Sequence, residues 1–244
     1  MFNFSIDKRT LYIVIAILVV ISLATLLASP EELYLTLLGI PGVLVAITFH
    51  EFAHGITAYM LGDNTAKNEG RLSLNPFAHL DPIGTLMLVF LHIGWGRPVH
   101  INPSNFTRKF SMEKGEAIVS LAGPLMNIIL AFVFGIVYFV VYKFATAAFI
   151  ESEIGFIIMQ MIMSTIITNV GLGVFNLIPL PPLDGSKIIR PFLPYKAKQW
   201  FMNNEQIFYL VFIVIWITGI AGRIISPAIV WLADKIMNIC SLIL

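Results

Sequence analysis

The sequence predicts an all-α polytopic membrane protein of six transmembrane helices, with a short membrane-associated β and re-entrant region after the second helix. Three observations lead there. Of 244 residues, 58% are hydrophobic and 12% charged, with a mean hydropathy of +0.87, whereas an average soluble domain is about 25% charged. Uncharged stretches approach the roughly 20 residues needed to cross a bilayer. Basic residues gather in alternate connecting segments, as the positive-inside rule requires of a multi-span chain. The same composition excludes a disordered chain, and a net charge of +1 without a basic block excludes a nucleic-acid partner. The single cysteine, Cys240, allows no internal disulfide and no CxxC site.

The predicted spans are Leu11 to Ala28, Leu33 to Leu61, Ala117 to Tyr142, Ile154 to about Leu177, Gln206 to Gly222, and Ile224 to about Cys240. The first lies behind Lys8 and Arg9 but runs past the length of a signal-peptide core. Ser29, Pro30, Glu31 and Glu32 then lead straight into the next span, so it reads as a retained anchor. Only Gly222 and Arg223 separate the fifth span from the sixth. Twelve of the fifteen Lys and Arg residues fall before the first span, after the second or after the fourth. That asymmetry places both termini and the two long loops in the cytoplasm, within one integral-membrane domain covering residues 1–244.

Within the loop from Gly62 to Lys114, the segments 70–75 and 97–103 alternate apolar and polar residues and end at prolines, which suits short edge strands. Between them, Ile83 to Ile93 is apolar but only eleven residues long, so it reads as a re-entrant or interfacial segment. No internal repeat is evident, which removes support for an inverted-repeat transporter.

The second span contains His50-Glu51-Phe52-Ala53-His54. Histidines four apart on a helix sit about 40° apart around its axis and one turn up, so both imidazoles reach a single metal. Glu51 between them is placed to act on a water beside the metal instead of binding the metal. Ionisable groups inside an apolar span cost about 2.5–3.5 kcal/mol each when charged, and a bound cation offsets that cost. A catalytic zinc takes three protein ligands and leaves a position open. Asp184 is the preferred third ligand: it follows Pro179, Pro181 and Pro182, which break the helix, and precedes Gly185. A helix cap at the membrane surface is the plain alternative for Asp184. His79, His92 and His100 are the rival ligands, His92 first among them because it lies in the apolar segment.

These motifs together resemble the site-2 protease family of intramembrane zinc metalloproteases. The resemblance is carried by Phe49 to Gly55, by Gly70-Arg71-Leu72-Ser73-Leu74-Asn75-Pro76 with His79 to Gly84, by Ala122-Gly123-Pro124-Leu125-Met126-Asn127, and by Asn176 to Gly185. It covers roughly residues 33–190 and is closest to short prokaryotic members without a PDZ or C-terminal regulatory domain. It implies one Zn²⁺ held by His50, His54 and Asp184, Glu51 as catalytic base, and an oxyanion or substrate role for Asn127. A substrate role for Asn176 is weighed beside a structural one. Asn127 read on its own equally suits a helix-to-helix hydrogen bond. The implied partners are the bilayer and a transmembrane protein substrate, cut within or near its span in a prokaryotic cell membrane. Cleavage of such a substrate requires it to unwind; an edge strand at 70–75 or 97–103 suits pairing with the unwound segment, and the junction near Gly219, Gly222 and Pro227 suits a gate, with a plain turn as the alternative. A metal transporter and a catalytically inactive membrane chaperone are the competing classes. The first has no need of Glu51, and the second has no need of a complete ligand set.

Overall fold

The computed structural model describes residues 20–21, 23–24, 27–81, 84, 96–107, 111–218 and 220–243. Its helices are α1 (Pro30–Met60), α2 (Thr65–Asn68), α3 (Met112–Phe144), α4 (Ala147–Ile150), α5 (Glu153–Asn176), α6 (Asp184–Ile189), α7 (Tyr195–Asn203), α8 (Glu205–Ile217) and α9 (Ile220–Ile243). Helix starts carry recognisable local signals. Pro30 opens α1 with Glu31 and Glu32 in the first turn, where the free amide groups favour negative charge. The Ser111 and Ser152 hydroxyls accept from the Lys114 and Gly155 amides at the starts of α3 and α5. At the other end of α1, Gly62 takes φ +108, a conformation that only glycine adopts without strain.

Four of these helices are long and apolar enough to cross a membrane: Pro30–Met60, Met112–Phe144, Glu153–Asn176 and Gly222–Ile243. They match the expected second, third, fourth and sixth spans. Their outer faces carry large apolar side chains such as Leu35, Leu37, Leu125, Ile129 and Val133, which suits contact with lipid chains. The protein is integral to a membrane. Two expectations about spans stand differently. Leu11 to Ala28 lies almost wholly outside the described residues. Gln206 to Gly222 is not confirmed as a span: the described helix α8 covers 13 residues and ends at Ile217, about 20 Å long at 1.5 Å per residue, and Gly219 lies outside the described residues. At Thr218 the hydroxyl turns back onto the Val214 and Ile215 carbonyls, a local bond that competes with helix continuation.

The inner bundle is α1, α3 and α5, with α9 packed on α3 and α5. Ala131, Ile166, Val170, Ala233, Ile236 and Cys240 form the apolar core where α9 docks. Small residues bring α1 and α5 close: a Cβ at Gly42 would lie 2.8 Å from Thr165 Cα, and one at Gly39 would lie 3.2 Å from Ser164 Oγ. Close backbone approach through small residues is the usual packing device between helices in lipid, where burial of apolar surface gives no drive.

The edge strands expected at 70–75 and 97–103 do not form; among the described residues there is no strand, only one isolated antiparallel bridge between Leu80 and Gly96. The backbone groups that a ladder would use are taken by other partners. Val99 N–H donates to Glu51 Oε2 at 3.0 Å, Asn102 N–H donates to Asp63 Oδ2 at 2.7 Å, and the His79 ring donates to the Ser73 carbonyl at 2.7 Å. The expected re-entrant segment Ile83 to Ile93 lies outside the described residues apart from Gly84.

Asp63 ties this loop to the end of α1. Its buried carboxylate accepts from the Thr65 amide and hydroxyl, the Asn102 amide and the Asn105 side chain. Burial alone would raise its pKa, but those donors outweigh burial and hold it below the usual aspartate value. A depressed folded pKa stabilises the fold above the unfolded value of about 3.9 and loses that contribution as pH falls through the folded value. Asp63→Asn is therefore expected to melt at a lower temperature than wild type at pH 7, with the gap closing below about pH 4. Melting curves across pH check this, and a gap independent of pH would contradict the charge-based account.

Candidate metal centre

Three side chains that ordinarily accept hydrogen bonds converge inside the bundle. His50 and His54 lie one turn apart on α1, and Asp184 opens α6. His50 Nε2 lies 3.1 Å from Asp184 Oδ2, His54 Nε2 lies 3.1 Å from the same oxygen, and the two Nε2 atoms are 3.0 Å apart. Among the described residues this is the one group of His, Cys, Asp and Glu side chains so gathered. Asp184 reaches it because the chain turns sharply after α5. Gly185 lies so close that a Cβ there would sit 2.3 Å from the Ile178 carbonyl, so only glycine fits behind the aspartate.

The hydrogen bonds on the far side of each ring fix what the near side offers. His54 Nδ1 lies 2.8 Å from the Val119 carbonyl, which accepts only, so the proton sits on Nδ1. His50 Nδ1 lies 2.6 Å from Asn127 Oδ1. The Asn127 amide nitrogen donates to the Ala46 carbonyl and to Asn169 Oδ1, each at 3.0 Å, so the oxygen is the end facing His50. Both imidazoles therefore present a bare Nε2 lone pair toward a carboxylate oxygen. Three acceptors at 3.0–3.1 Å repel one another unless they share a cation. Tetrahedral ligands at zinc distances of 2.0–2.1 Å are separated by about 3.3 Å, so the donor set fits zinc.

Room for that cation is kept by α3. A Cβ at Gly123 would lie 2.5 Å from His54 Cε1 and Nε2 and 2.7 Å from His50 Cε1. Glu51 is outside the triangle, its Oε2 bound to Val99 N–H.

The model of peptidase family M50 matches residues 38–219, three-quarters of the chain. The chain belongs to peptidase family M50, the site-2 protease family. Over 201 residues it is 34% identical to a Bacillus subtilis protein named "Putative zinc metalloprotease YwhC", covering 82% of this chain and 90% of that one. Rip2 of Mycolicibacterium smegmatis, described in the same words, is 29% identical over 81% of this chain and 73% of its own. MJ0611 of Methanocaldococcus jannaschii, also so described, is 32% identical over 43% and 46% respectively. No solved structure gives a significant match. The M50 chain is thus a membrane-embedded zinc metalloprotease.

The rival histidines are elsewhere. His79 is buried with its ring on the Ser73 carbonyl, and His100 is exposed beside Glu69 at 2.9 Å. His92 lies outside the described residues. Asn176 bonds to the Leu172 carbonyl of its own helix at 3.0 Å. Three residues at the site escape the sequence reading. Gly123 is quoted there only as part of a motif, and Val99 contributes a backbone amide, which no side chain announces. Asn169 had a signal: a polar side chain in the apolar run of α5.

Proposed function

We propose that this protease hydrolyses a peptide bond within or near a transmembrane segment of a membrane protein, with His50, His54 and Asp184 as zinc ligands and Glu51 as general base. The observation that carries the reading is the depth of the converging acceptors. His50 lies ten residues before the end of α1 at Met60, about 15 Å along a helix whose outward side chains are apolar. Peptide bonds that reach such a depth belong to chains already in the membrane.

Zinc, when bound, polarises the scissile carbonyl and makes water easier to deprotonate. Two neutral imidazoles and one carboxylate cancel a single charge of the divalent ion, and the remaining positive charge favours a developing oxyanion. Glu51 uses Oε2 to accept from Val99 N–H, which leaves Oε1 to take the proton from water and deliver it to the departing amine. The substrate helix unwinds locally to expose the bond to the site. The positive-inside distribution of Lys and Arg supports cytoplasmic termini and access to the site from that side.

Asp184→Ala tests the assignment. Purified wild type is expected to carry one zinc per chain and to cut a single-span protein in vesicles inside or beside its span. The variant is expected to lose at least tenfold in zinc affinity and to lose cleavage with it. Cleavage of soluble loop peptides alone, with spanning substrates left whole, would overturn the intramembrane reading; unchanged zinc in the variant would overturn the ligand assignment.

A further inference from the structure

A chain of buried amides runs from α5 to the metal centre. Asn169 on α5 donates its side-chain N–H to the Thr165 carbonyl at 2.8 Å and offers Oδ1 to Asn127 on α3 at 3.0 Å. Asn127 spends its second N–H on the Ala46 carbonyl, one helical turn before His50, and offers its oxygen to His50 Nδ1. Asn127 and Asn169 are both 0% exposed. Both N–H groups of Asn127 and one of Asn169 therefore face an acceptor, and neither amide can rotate by 180° without setting like groups against each other. The packing closes around the relay: a Cβ at Gly173 would lie 3.4 Å from Asn127 Cβ and 3.2 Å from the Pro124 carbonyl.

We infer that Asn169 and Asn127 are positioning residues that hold His50 in the tautomer with a bare Nε2 aimed at the metal. The inference rests on His50 being a ligand. Both N–H groups of Asn127 are already engaged, so the relay accounts for this residue without an oxyanion contact. Were Asn169 to lose its acceptor, only the Ala46 carbonyl would hold the Asn127 nitrogen away from His50, and the amide would turn that nitrogen toward the imidazole more readily. The imidazole would then accept at Nδ1 and carry its proton on Nε2, where a proton and a metal exclude each other.

The decisive comparison is Asn169→Leu against Asn169→Asp. Leucine keeps the branched shape, at a larger volume, and removes both bonds. An aspartic acid buried here keeps its proton, so its carbonyl still accepts from Asn127 and its hydroxyl still donates to Thr165. Zinc affinity measured by chelator competition is expected to fall about 10–100-fold in the leucine variant, the range found for partners of metal-bound histidines, and to recover in the aspartate variant. The visible bands of the Co²⁺-loaded leucine variant are expected to shift, a change that a purely structural residue would not cause. If the leucine variant does not fold, Asn169→Ala removes the same acceptor without added bulk and carries the same expectation. Wild-type zinc affinity and an unshifted Co²⁺ spectrum in a folded variant would overturn the relay. His50→Ala measured alongside separates the two readings: unchanged zinc there would remove His50 from the ligand set, whatever Asn169 does.

Discussion

Glu51→Gln is expected to slow substrate cleavage by about 10²–10⁴-fold, the contribution of a positioned general base, while zinc content stays at the wild-type level. Glutamine matches glutamate in shape and keeps an oxygen for the Val99 amide, so the loop that meets α1 at this point keeps its anchor. The converging acceptors are His50, His54 and Asp184, and the substitution touches none of them. What glutamine lacks is the ability to accept a proton at neutral pH. Single-turnover cleavage of a single-span substrate, paired with metal analysis of the same preparation, reads both halves of the expectation. Equal cleavage by variant and wild type would remove Glu51 from the base role.

Gly123→Ala is expected to empty the metal centre while leaving the helices folded. The added methyl would stand 2.5 Å from the His54 ring and 2.7 Å from the His50 ring, well inside van der Waals contact. Neither ring can step aside cheaply, because His54 is held by the Val119 carbonyl and His50 by Asn127. Overpacking costs about 1–3 kcal/mol, and alanine recovers about 1 kcal/mol through its better helix propensity. The net cost of about 0–2 kcal/mol lowers the melting temperature of the metal-free protein by at most several degrees, whereas zinc content falls below about a tenth of wild type and cleavage falls with it. Full zinc occupancy in the variant would show that the rings accommodate the methyl and that the glycine is not what keeps the space open.

The helices of the inner bundle were legible in the sequence because hydropathy and length dominate in lipid. Leu33 to Leu61, Ala117 to Tyr142 and Ile154 to Leu177 differ from α1, α3 and α5 by only a few residues at each end. The His50 and His54 pair was legible because i, i+4 spacing acts within one helix. Asp184 is 134 residues from His50, and three prolines beside a carboxylate were the signal that the chain turns there. Alternation at 70–75 and 97–103 misled, since it reports an extended backbone and not its partners. In this loop the partners are the Glu51 and Asp63 carboxylates and the His79 ring. The fifth span is not confirmed: the described helix α8 is 13 residues long, shorter than the roughly 20 a crossing needs. Asn169 was the missed opportunity: its role depends on a partner 42 residues away on another helix, and spacing along the chain carries no trace of it.

If the substrate is a membrane-spanning helix, as proposed, the seam where Gly39 and Gly42 of α1 meet Ser164 and Thr165 of α5 also constrains how it would reach the site. Two main chains in direct touch leave no width to widen by turning side chains, so that flank behaves as a closed wall. On the proposed reading, a substrate coming from the surrounding lipid would have to come round another side.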